Sequence, residues 1–131
     1  MLHWNLRSRL RGMDQFKIES VPGIHEGIRI LRLSGPFTLR TLFDFQAVVR
    51  SNEAPVTLID VTDVPYMDSA SLGAIMTVHT SSQRHKRQYA LVGVSERLLT
   101  LFQVAGVDGI LVTVPTLEEA QRKFANAAAS N

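Results

Sequence analysis

The sequence predicts one α/β domain whose sheet is mixed but mostly parallel, with an antiparallel edge strand. Three observations carry that prediction. At 131 residues the chain has the length of a single domain. After an opening pair of strand-like runs, strand and helix patterns alternate in the order β-β-α-β-α-β-α-β-α. The short, largely apolar run Val56–Val61 has the pattern of a strand covered on both faces.

Each element has its own signal. Phe16–Glu19 alternates as a first strand, and Pro22-Gly23 turns the chain into a second, Gly27–Leu33, which Gly35-Pro36 ends. Tied to the second by a tight turn, the first strand should be the antiparallel edge. Leu39, Leu42, Phe43, Phe45 and Val49 form a broad helical stripe over Leu39–Arg50, broken at Asn52–Pro55. Beyond Val56–Val61 and a loop from Thr62 to Met67, Leu72, Ile75, Met76 and His79 fall on one helix face. The polar stretch Ser81–Gln88 reads as a connector, and Tyr89–Val94 as a strand. Ser95 opens a helix striped by Leu98, Leu101, Phe102 and Ala105, with Gly106 where a left-handed cap belongs. Ile110–Val114 is the last strand. Thr116-Leu117-Glu118-Glu119 is a capping-box pattern that opens the last helix.

Composition removes several alternatives. With 45% hydrophobic and 20% charged residues, a chain of this length can build a core without a disulfide or metal staple. The absence of cysteine excludes disulfide scaffolds, zinc ribbons and thiol catalysis. No apolar run approaches the ~20 residues that span a bilayer, so membrane insertion is not expected. The net charge of +2 arises at one end, where Arg7, Arg9 and Arg11 precede any acid. From Met13 onward, 11 Lys+Arg face 12 Asp+Glu, so a nucleic-acid partner is not expected either. Residues 1–12 read as a basic extension and 13–131 as the domain.

In open sheets of this kind, partners gather beyond the carboxyl ends of the strands. Here that rim includes the loop Thr62–Ser71, the most distinctive segment of the chain, within Asp60-Val61-Thr62-Asp63-Val64-Pro65-Tyr66-Met67-Asp68-Ser69-Ala70-Ser71-Leu72-Gly73. A hydroxyl at a helix start sits among unpaired backbone N–H groups, whose dipole favours negative charge. A phosphate placed there adds about −1.5 to −2 charges, which the free domain tolerates and a desolvating partner surface does not. Asp and Ser at such a position are also the commonest N-caps, and from the residues alone capping is the favoured role.

The segment resembles the signature of the STAS domain, and more narrowly that of the bacterial anti-sigma factor antagonists. The resemblance rests on Met67-Asp68-Ser69 with Leu72-Gly73. It extends to Gly35, Leu91–Ser95, Ala105–Asp108 and Leu117–Ala120. Ser71 departs from it, standing where many members carry glycine. The resemblance implies a cytoplasmic, phosphorylation-switched binding module with no cofactor and no catalysis of its own. Ser69 is then the modified residue. The partner is an anti-sigma factor, commonly also the serine protein kinase, captured when the serine is bare. The expected partner rim is Thr62, Asp63, Tyr66, Met67, Asp68, Ser69 and Ser71. The same fold also serves transporters, lipid-transport complexes and stress-signalling assemblies, and a subunit of such a complex is the alternative.

Enzyme readings fare worse. Ser69–Gly73 fits a small-x-Ser-x-Gly nucleophile elbow, but nine residues separate Val61 from Ser71 and no histidine follows His85. A phosphoacceptor receiver needs a lysine after its fifth strand, where this chain has Val114-Pro115-Thr116. His3, His25, His79 and His85 lack metal-ligand spacing, so no metal site is expected.

Overall fold

Strand β2 (Ile28–Ser34) and strand β3 (Val56–Asp63) place alternate side chains on opposite faces, and both faces are apolar. Leu31, Leu33, Ile59 and Val61 point one way; Ile28, Ile30, Val56 and Leu58 point the other. A strand buried on both sides needs helices on both sides, and the structure supplies them. It is a computed structural model that describes residues 15–51 and 53–129. The expected extension, 1–12, lies outside them.

The sheet order is β1-β2-β3-β4-β5, with β1 at Lys17–Pro22, β4 at Gln88–Val92 and β5 at Thr113–Val114. Only β1–β2 is antiparallel. Pro22, which cannot donate to a ladder, sits on that edge strand as it must. From β2 onward the order advances one strand at each crossover, and crossovers of one hand then lie on one face. Accordingly, helices α1 (Leu42–Arg50), α2 (Ser69–Arg84) and α3 (Glu96–Ala105) bury Leu42, Phe45, Ile75, Leu98 and Phe102 against the Leu31–Ile59–Leu91 face. Among the described residues only α4 (Leu117–Ala129) covers the other, through Ala120 and Phe124.

Caps follow the sequence. The Ser95 hydroxyl accepts the Leu98 N–H at 3.2 Å, Thr116 accepts that of Glu119 at 3.2 Å, and Gly106 is left-handed at φ 74°. Four expectations are corrected. Helix α1 starts at Leu42 because Thr38–Thr41 forms a turn of its own, with Thr41 N–H on Thr38 O at 2.9 Å; Leu39 and Phe43 are left exposed. Helix α2 runs on through Ser81 to Arg84, so the connector is shorter than its polarity suggested. Strand β4 stops at Val92, because Gly93 turns left-handed at φ 73°. Strand β5 is two residues long because the Ile110 and Leu111 N–H groups turn back onto Val107 O at 3.0 and 3.1 Å.

Candidate functional site

At the carboxyl end of β2 and β3 the two following loops are stitched together. The ladder slips between Arg32↔Asp60 and Ser34↔Asp63, a bulge that re-aims the end of β3. Gly35 N–H then donates to Asp63 O at 3.0 Å, Phe37 N–H to Tyr66 O at 3.1 Å, and Asp68 N–H to Phe37 O at 3.3 Å. Gly35 has φ 85°, and a Cβ there would press on the Gln15 carbonyl, so only glycine fits. The Phe37 ring is wholly buried between Phe16, at 5.4 Å between centroids, and Phe45, at 5.0 Å.

Asp68 completes the seam. Its Oδ1 accepts the Ser71 N–H at 2.9 Å, capping α2, and its Oδ2 accepts the Leu39 N–H at 2.8 Å. Partial burial pushes the Asp68 carboxyl up, but these backbone donors outweigh it and hold it below its usual value. The nearby Ser71 hydroxyl helps electrostatically without reaching hydrogen-bond geometry. The capping role that the residues alone favoured thus belongs to Asp68. Ser69 is the first helical residue, exposed, and neither bond at this helix start uses its hydroxyl.

The Thr62 and Ser71 hydroxyls are differently placed. Thr62 is exposed, but its Oγ1 donates to Asp60 Oδ1 at 2.6 Å while its N–H reaches the same oxygen at 3.0 Å. Ser71 is wholly buried, which corrects its placement on the partner rim: it packs under the first turn of α2 and cannot touch a partner. Met67 is corrected in the same way. At 7% exposure it closes the sheet end, its backbone bridged to Phe37. Tyr66 turns outward at 41%, with the Arg97 guanidinium 5.3 Å from its ring centroid. Of the expected rim residues, Thr62, Asp63, Tyr66 and Ser69 are exposed and Asp68 is half-buried.

Three contributors have little or no signal in the sequence. Leu39 supplies only its N–H, which any residue carries, and Arg97 is one exposed arginine on a helix. Gly93 is visible only as an isolated glycine after a strand; a Cβ there would collide with the Thr62 hydroxyl.

The fold and site define a small α/β domain presenting one free serine hydroxyl on a stitched loop rim. The chain belongs to the STAS domain family, whose model matches residues 20–120. The anti-sigma-B factor antagonist of Listeria monocytogenes is 36% identical over 64 residues, 49% of this chain and 56% of that protein. The match thus spans about half the length of that curated relative. Solved structures share the fold. A Thermotoga maritima protein described as a candidate anti-sigma factor antagonist superposes with a TM-score of 0.72 at 21% identity, covering 82% of this chain and 92% of its own. The phosphorylated form of the Bacillus cell fate determinant SpoIIAA gives 0.63 at 15%, covering 83% and 99%. No helix among the described residues is long and apolar enough to cross a membrane.

Proposed function

We propose that this chain is an anti-sigma factor antagonist: a non-catalytic, cytoplasmic binding module that captures an anti-sigma factor when Ser69 is bare and releases it when Ser69 is phosphorylated. One observation carries the reading. Of the three serine and threonine hydroxyls here, Ser71 is buried, Thr62 is committed to Asp60, and Ser69 alone is both exposed and disengaged among the described residues. The 36% identity to a Listeria antagonist and the fold shared with SpoIIAA support it.

The switch follows from charge. A phosphate on Ser69 would sit beside the Asp68 carboxylate but at the N-terminus of a 16-residue helix, whose dipole offsets part of the repulsion. The domain itself keeps its fold. A partner that desolvates the rim has no such compensation, and a loss of ~3 kcal/mol there weakens binding about a hundredfold. The kinase is proposed to be the anti-sigma factor itself.

The test is capture from an extract of the source cells on immobilised wild type, Ser69→Ala and Ser69→Asp chains, with kinase treatment and peptide mapping alongside. Phosphate should map to Ser69. Wild type and Ser69→Ala should hold the same anti-sigma factor, and Ser69→Asp should hold less of it. Phosphate on Thr62 with Ser69 bare, or equal capture by all three chains, refutes the reading. Asp63→Lys should abolish capture while melting stays near wild type; charge reversal at Lys123, on α4, should change nothing.

A further inference from the structure

The amino ends of the parallel strands lie a helix length, roughly 24 Å, from Ser69 along α2. There Arg29 is 5% exposed and lies on the three-helix face of β2, opposite Thr57 of β3. Its guanidinium donates to Val48 O and Val49 O at 3.1 Å each, carbonyls in the last turn of α1, and to Thr57 Oγ1 at 3.4 Å. Its Nε–H is buried without an acceptor. Among the described residues no carboxylate pairs with it; the helix end offers only about half a negative charge.

A second cation reinforces the first. Helix α2 ends with Lys86 left-handed at φ 56°, and Arg87 N–H returns to Ser82 O at 2.8 Å. Arg29 and Arg87 line one cleft with Thr57, Ser81, Ser82 and Gln88. Burial, and to a lesser degree the Arg87 charge, pushes Arg29 below its usual range. Among the described residues the acid that pairs with a cleft arginine is the exposed Glu53, 3.3 Å from Arg87.

We propose that this cleft binds a tetrahedral oxyanion of the phosphate or sulfate class, with Arg87, Ser81, Ser82 and Gln88 in contact and Arg29 as the fixed charge beneath. Size agrees. The cleft holds about 50 Å³, against ~10–15 Å³ for one water, which is room for a small oxyanion. Charge agrees too: two arginines and one exposed acid leave a net positive site whose hydroxyls and amide are ready donors. The site is independent of Ser69 and of the reading given for it.

Inorganic phosphate titrated into the isotope-labelled full chain, at constant ionic strength set with chloride, tests this. Amide shifts should saturate below ~10 mM at Thr57, Ser81, Ser82 and Gln88, with the Nε–Hε signals of Arg29 and Arg87 moving in step. Sulfate should compete. Arg87→Gln, which spares the buried Arg29, should weaken binding about tenfold or more with the rest of the spectrum unchanged. Glu53→Gln should tighten it several-fold by freeing Arg87. Shifts that stay linear, or that appear equally at Arg122 and Lys123, overturn the proposal, as does unchanged affinity in Arg87→Gln.

Discussion

The Asp68 carboxylate accepts the Leu39 backbone N–H at 2.8 Å, a bond between residues 29 positions apart that locks the loop after β2 to the start of α2. One side chain therefore caps the helix that presents Ser69 and fixes the neighbouring loop. The position of the serine depends on a residue beside it, not on the serine itself.

Asp68→Ala should therefore cost more than an ordinary cap, about 2 kcal/mol by urea melting, since it removes both the cap and the bridge to Leu39. Asp68→Asn keeps one acceptor and should lose about 1 kcal/mol at neutral pH. The pH dependence has a definite sign. The folded-state carboxyl is held below its usual 3.8, so its stabilisation is present above that value and disappears as pH falls through the lowered one. Melts across this range should show the gap between wild type and Asp68→Asn closing in acid.

Ser69→Ala should leave stability within about 0.5 kcal/mol of wild type, because the hydroxyl removed is exposed and takes no part in the Asp68 cap. A loss near 2 kcal/mol in thermal or urea melts would assign Ser69 a capping role after all.

Gly93→Ala should destabilise by about 2–3 kcal/mol, from left-handed strain at φ 73° and collision with Thr62. Combining it with Thr62→Ala relieves the collision only. The double variant should recover part of the loss, and a double-mutant cycle measures that part.

Tyr89→Phe should cost about 1–3 kcal/mol. The Tyr89 oxygen accepts the Val112 N–H at 3.1 Å and meets His79 Nδ1 at 2.7 Å, so removing it orphans two partly buried groups at once. Hydrogen exchange at the Val112 amide should accelerate in the same variant.

Several features are legible in the amino-acid sequence itself. Alternating periods set the element order, and the apolar run through Val56–Val61 marks a strand with helices on both faces. Caps at Ser95, Thr116 and Gly106 are local chemistry, set by residues within four positions of each other. The placement of Ser69 at a helix start is legible in the same way, since Asp68 declares the cap.

What the tertiary structure alone decided concerns faces and distant partners. A helical stripe cannot say that Phe43 is uncovered, because its cover would come from another element; likewise Leu39 leaves the helix for a turn whose N–H serves Asp68. Ser71 and Met67 lie only a few residues along the chain from Thr62 and Asp63, yet the sheet end closes over the first pair and leaves the second in water. Arg29 and Arg87 stand 58 positions apart, and only the β2–β3 register and the end of α2 bring them to one cleft. Periodicity and capping are written in the energies of neighbours along the chain. Burial and charge pairing are written in contacts across it, which a sequence specifies only by folding.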